Sequence, residues 1–237
     1  MKLDAIVIAA HPDDAEISVG GTILKLVRSG RKVGIVDVTR GEMGTRGDRA
    51  TRAAEASAAS ELMGLAMRAN LELPDGRVVA TPEAREALAA IFRRYRPEVV
   101  LAHHLDDLHP DHIAAGRLAR DAWYLSGLAR LAAEDGGPPA HRPRRIYHFM
   151  SHLAGDPAFV IDVTPVWDEK VRLVSCYASQ LEATGPDDDG SHLLFGANVL
   201  ERMETKARYF GERIGVRYGE PLIHVGPVAL EDPLVPG

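Results

Sequence analysis

A chain of 237 residues, 46% hydrophobic and 26% charged, can bury the core of one large α/β domain, alone or with a small appendage. A net charge of -6 and a pI near 5.9 supply no basic stripe for nucleic acid, so the expected partners are small molecules. The single cysteine, Cys176, excludes an intrachain disulfide and a thiolate metal site, and no apolar run reaches bilayer length.

The first apolar run, DAIVIAA at 4–10, has the pattern of a strand covered on both faces. It is too short for a signal-peptide core and stops at His11-Pro12-Asp13-Asp14, which points to a cytoplasmic protein. KVGIVDVT at 32–39 repeats the pattern after a helical segment ending near Gly30, giving a βαβ unit. An alanine-rich helix at 49–65 ends on Gly64 as C-cap, before a short strand at 69–73, ANLEL. The segment 81–97 predicts a helix capped by Thr81, started by Pro82 and stopped before Pro97. EVVLAHH at 98–104 is the next strand, and a helix from Pro110 is expected to bury Ala114, Leu118, Ala122, Leu125 and Leu128.

Beyond a loop at 136–143, strands are expected at 144–151 and 159–164 and helices at 166–180 and 198–215, with a mobile acidic loop at 182–192. The alternation predicts an α/β fold: a Rossmann-like, doubly wound, mostly parallel sheet with helices on both faces and C-terminal strand and helix additions. The chain reads as a single domain, 1–237, with its core in 1–130 and a part at 140–237 that completes the pocket.

Ligands of open parallel sheets bind beyond the carboxyl ends of the strands. Strand one runs into His11, Asp13, Asp14 and Glu16, and the fourth strand runs into HHLDDLHPDH at 103–112, so both clusters are drawn to one crevice. Two imidazoles and one carboxylate form a common catalytic zinc set with a fourth position left for water. His11 and Asp14 can converge across a turn, and His112 can complete the set from the other loop. Such an ion polarises a carbonyl and acidifies water, which points to hydrolysis; iron(II) or cobalt would accept the same ligands. Asp13 is the candidate base, His109 the candidate oxyanion stabiliser, and Asp111 is expected to keep that imidazole protonated and oriented. His103 and His104 read as core or orienting residues rather than ligands, and Asp106 and Asp107 as loop-orienting or pocket-lining.

Two rival readings carry less. A nicotinamide-dependent oxidoreductase would use Asp37 as its ribose-binding acid, yet the G-x-G-x-x-G turn is absent and three acids occupy the phosphate's place. A non-catalytic sugar-binding module would need no base beside an open metal position.

AHPDDAE at 10–16 and HPDH at 109–112 resemble the two motifs of the PIG-L/LmbE zinc-dependent N-acetylglucosaminyl deacetylases. The resemblance implies that His11, Asp14 and His112 bind zinc, that Asp13 is the general base and that His109 stabilises the oxyanion. A narrower likeness, to the bacillithiol-biosynthesis deacetylases of N-acetylglucosaminyl-malate, rests on residues 39–56, NLELPDG at 70–76, FVIDVT at 159–164 and YASQ at 177–180. It implies an N-acetylated amino-sugar substrate and a trimer or hexamer. Arg46, Arg49 and Arg52 follow a glycine-rich turn on the metal's sheet edge and could fork a carboxylate; Arg52 matches a family arginine implicated in binding. Glu42 holds a sugar hydroxyl or caps a turn, and Tyr177 and Gln180 enter the pocket or pack. Leu108 departs from the basic residue that related deacetylases often carry before HPDH.

Overall fold

The protein is described by a computed structural model covering residues 1–44, 46–153, 155–181 and 198–226. The acidic segment 182–192 lies outside the described residues. In chain order the elements are β1 (Ala5–Ala9), α1 (Asp14–Arg28), β2 (Val33–Asp37), α2 (Arg49–Met63), β3 (Met67–Asn70), α3 (Pro82–Tyr95), β4 (Val99–His103), α4 (Pro110–Leu125) and α5 (Ala129–Glu134). There follow β5 (Arg145–Phe149), β6 (Phe159–Asp162), α6 (Trp167–Val174), α7 (Ala178–Leu181), α8 (Val199–Glu212) and β7 (Gly219–Ile223).

The sheet order is β3-β2-β1-β4-β5-β7-β6, with β3 through β5 parallel and β7 antiparallel to both its neighbours. This is the α/β architecture expected, with a C-terminal addition whose inserted strand, β7, has no counterpart among the predicted elements. Successive β1 side chains alternate faces. Ala5, Val7 and Ala9 enter one core with α1 and α6, while Ile6 and Ile8 enter the other with α3 and α4. Each of the buried valine and isoleucine side chains contributes about 1.5–3 kcal/mol. The connection order reverses between β1 and β4, so the crevice opens where the two motif-bearing loops leave the sheet. No helix among the described residues is long and apolar enough to cross a membrane.

Three predicted details shift. The third strand ends at Asn70, although Leu71 and Leu73 still donate to Asp37 O and Val38 O after leaving the ladder. The buried stripe of α4 is Ala115, Leu118, Ala119 and Ala122, with Ala114 and Leu125 only partly covered. Adjacent alanines made that register degenerate in the sequence. The helix expected over 166–180 breaks after Val174, and the turn carries Tyr177 inward until its hydroxyl donates to Glu16 Oε1 at 2.8 Å.

Helix α1 is kinked at Val19 (φ -136°, ψ 19°). Glu220 of β7 accepts from the N–H groups of Gly21 and Thr22 at 2.8 and 2.6 Å, and Lys170 neutralises it at 2.6 Å. A Cβ at Gly21 would stand 2.8 Å from the Val163 side chain, so glycine permits this close approach. The clamp fixes the helix whose first turn carries Asp14 and Glu16.

Candidate active site and metal centre

After β1 the chain turns through His11 and Pro12 into Asp13, which sits at φ 113°. A non-glycine residue there is held against its backbone preference, at a cost of order 1–3 kcal/mol. The neighbours of the two adjacent carboxylates differ accordingly. Asp14 faces three imidazoles: His11 Nδ1 at 3.2 Å, His112 Nε2 at 3.3 Å and His103 Nε2 at 3.3 Å. Asp13 faces Arg52, whose Nη1 lies 3.3 Å from its Oδ2.

The ligating atoms of His11, Asp14 and His112 all lie within 4.8 Å of one another. Tetrahedral bonds of about 2.0–2.1 Å would separate neighbouring ligand atoms by about 3.3–3.4 Å; His11 Nδ1 lies 3.2 Å from Asp14 Oδ2 and His112 Nε2 3.3 Å from Asp14 Oδ1. The far nitrogen of each imidazole meets a carboxylate. His11 Nε2 lies 3.1 Å from Asp75 Oδ1 and 3.4 Å from Asp111 Oδ2, and His112 Nδ1 lies 3.2 Å from Asp107 Oδ1. Carboxylates behind histidine ligands fix the ring and raise its basicity.

The electrostatics fit a cation as well. Burial opposes charge on His11, yet Asp111, Asp14 and Asp75 hold its pKa well above the ordinary value. Burial is likewise overcome at His112, which Asp14 and Asp107 raise to about 9. Asp14 is pulled well below the carboxylate range, against its own burial, by His112 and His103. The pocket thus favours positive charge, which protons supply in the absence of metal and which metal binding would displace.

His103 is a buttress. Its Nε2 accepts from the Ala10 N–H at 3.0 Å, Ser151 Oγ lies 3.1 Å from its Nδ1, and its ring stacks on His112 with centroids 4.1 Å apart. Burial, then the charge of His112, lowers its pKa to about 4. His104 is half-buried and Asp106 exposed, and the Asp106 N–H donates to His104 Nδ1 at 3.3 Å. Asp107 is buried and accepts from the His109 and His152 N–H groups at 2.9 and 3.1 Å.

His109 caps α4: its Nδ1 accepts from the Asp111 N–H at 3.2 Å. That geometry corrects the expected link, because the backbone of Asp111, not its carboxylate, orients the ring. The carboxylate instead accepts from Gly76 and Val78 N–H at 2.7 and 3.1 Å and holds His11. Burial, then His112 and His11, pushes the His109 pKa down; with Nδ1 accepting from the Asp111 N–H, the neutral ring carries its proton on Nε2. Burial pushes Asp13 up to about 6, against the pull of Arg52.

The expected substrate contacts mostly turn inward. Arg52 is buried and bonded to Asp13 and to Pro12 O, while it also lines the cavity of the site and its Nε has no partner among the described residues. Glu42 accepts from the N–H groups of Arg40 and Asp75, both at 3.2 Å, which makes it a tie between two loops. Arg46 is buried against Gln180 O, and Gln180 Nε2 returns a bond to Arg46 O at 2.8 Å. Arg49 is exposed, Leu108 is exposed, and Tyr177 is packed. Asp37 is buried and held by Arg68 at 2.7 Å, which removes it as a ribose ligand.

A cavity of about 990 Å³ joins the metal cluster, Asp13 and His109 to Arg202 and Lys206 of α8. Sequence reasoning passed over Asp75, His152 and Lys206. Asp75 had a signal, an aspartate in the PDG turn after β3, whereas His152 and Lys206 stand in no motif.

Residues 6–123 match the family PIG-L, described as GlcNAc-PI de-N-acetylase. A conserved protein of Thermus thermophilus shares the fold with a TM-score of 0.85 and 36% identity, over 99% of this chain and 100% of its own. The chain belongs to the PIG-L family. Within that family, the diacetylchitobiose deacetylase of Thermococcus kodakarensis is 29% identical over 94% of this chain and 85% of its own length. A probable N-acetyl-alpha-D-glucosaminyl L-malate deacetylase 2 of Bacillus cereus is 27% identical over 77% and 86%. The chain is also similar to a 4-oxalmesaconate hydratase of Pseudomonas putida, 29% identical over 74% of this chain and 73% of its own length.

Proposed function

We propose that this PIG-L protein is a zinc-dependent N-deacetylase that hydrolyses the acetamide of an N-acetylglucosamine glycoside, with N-acetylglucosaminyl-malate as the preferred conjugate. The observation that carries the reading is the convergence of His11, Asp14 and His112 on one point beside Asp13, inside a cavity large enough for a sugar conjugate. His11, Asp14 and His112 would hold a divalent cation, which would supply Lewis acidity toward the acetyl carbonyl and lower the pKa of water.

The chain's own groups do the rest. Asp13, kept in place by Arg52, takes a proton from the water as its oxygen bonds to the acetyl carbon. His109 donates Nε2–H to the oxygen that gains charge. Asp13 then returns its proton to the nitrogen as the carbon–nitrogen bond breaks, leaving acetate and a free amine. A hydration reaction like that of the Pseudomonas relative needs no such proton return to a nitrogen.

Acetate release is the test, measured on zinc-loaded protein with the malate, inositol and chitobiose conjugates of N-acetylglucosamine and with 4-oxalmesaconate. Acetate from the malate conjugate in preference to the others supports the reading. Turnover of 4-oxalmesaconate without acetate from any sugar overturns it.

A further inference from the structure

Helix α8 presents Arg202 and Lys206 to the cavity that holds the metal cluster. Four residues apart, they lie on one helix face, where like charges repel. The Lys206 ammonium is partly buried and donates to the carbonyl oxygens of Met150 and Ser151, the latter at 3.0 Å. Lysine has three N–H donors, and the third has no partner among the described residues. No described carboxylate lies within ion-pair reach either: Glu220 is taken by Lys170 at 2.6 Å, and Asp107 by His152 at 2.7 Å. Burial, then the charge of Lys170, lowers the Lys206 pKa to about 8, against the more distant pull of Asp107 and Glu220.

Its position ties it to the chemistry. Ser151, which receives one of its bonds, also contacts His103, and His103 stacks on the ligand His112. A cation left without its anion in a substrate cavity is the expected state of a subsite whose anion arrives with the ligand. The arginines first expected to serve this purpose are buried or turned elsewhere, Arg52 toward Asp13.

We infer that Lys206 anchors a carboxylate on the aglycone of the substrate, so helix α8 and not the loop after β2 selects anionic conjugates. The inference rests on the deacetylase reading above and adds the residue that sets its specificity.

The experiment compares kcat/KM for acetate release from the malate conjugate and from the neutral methyl glycoside of N-acetylglucosamine, and measures binding of free L-malate by calorimetry. In Lys206→Met the malate-to-methyl ratio should fall about 10-fold or more, chiefly through KM, and L-malate binding should weaken by a similar factor. Lys206→Arg should recover much of both. Arg208→Gln, an exposed change on the same helix, controls for net charge and should leave the ratio alone. Equal loss on both substrates, with L-malate binding intact, would show a purely structural lysine and overturn the inference. Absence of acetate from every sugar defeats the deacetylase reading instead, and L-malate binding unaffected by Lys206→Met then defeats the inference separately.

Discussion

Arg52 Nη1 lies 3.3 Å from Asp13 Oδ2, and the same guanidinium reaches Pro12 O, so one buried arginine holds both the candidate base and the turn that aims it. Its charge pulls the Asp13 pKa down against the effect of burial. Arg52→Ala should therefore raise that pKa and shift the acid limb of the kcat/KM profile upward, each unit lowering activity below the limb about tenfold. Metal content should not change. A rise in KM confined to the malate conjugate, with the limb unmoved, would return Arg52 to substrate binding.

The wild-type pH profile carries its own sign. Asp13 must be a carboxylate to accept a proton, and its pKa stands at about 6, above the ordinary value. Activity should be full above that pKa and fall as pH drops through it; a bound dication favours the carboxylate and moves the limb lower. Asp13→Asn should abolish the limb and reduce turnover by about 10²–10⁴-fold while retaining metal. Full deacetylase activity in that variant would remove Asp13 as the base.

Metal analysis separates ligands from their supports. His112→Ala removes one of three donors, and the purified protein should contain no stoichiometric zinc. Asp75→Asn leaves all three donors but weakens the hold on His11 Nε2, 3.1 Å away, and should lower metal affinity by about 10–100-fold. Chelator competition followed by mass spectrometry reads both. Unchanged zinc content in His112→Ala contradicts the assignment.

The Lys170–Glu220 pair predicts a stability effect without a change in ligands. Both side chains are 2% exposed, and Glu220 also accepts from Thr22 Oγ1 at 2.6 Å. Lys170→Met strands a buried carboxylate and should cost roughly 3–5 kcal/mol in denaturant unfolding. A loss below about 1 kcal/mol would mean that the α1 clamp does not depend on the pair.

The sequence by itself determined the parallel core and the meeting of His11, Asp14 and His112. Apolar runs at 4–10 and 98–104 read as covered strands, and a parallel sheet places whatever follows them at one edge, so its topology brings His11, Asp14 and His112 together. Alternation of faces and helix caps are local properties, written within a few residues. What surrounds the triad is not local. Whether Arg52 meets a substrate or Asp13, whether the Asp111 carboxylate serves His109 or His11, and whether Tyr177 lines the pocket or packs were each decided by side chains from distant elements competing for the same hydrogen bonds. Lys206 comes to the cavity only because β7 inserts between β5 and β6 and α8 packs beside it. A pairing between strands far apart in the chain leaves no spacing in the sequence to read, and tertiary packing settled it.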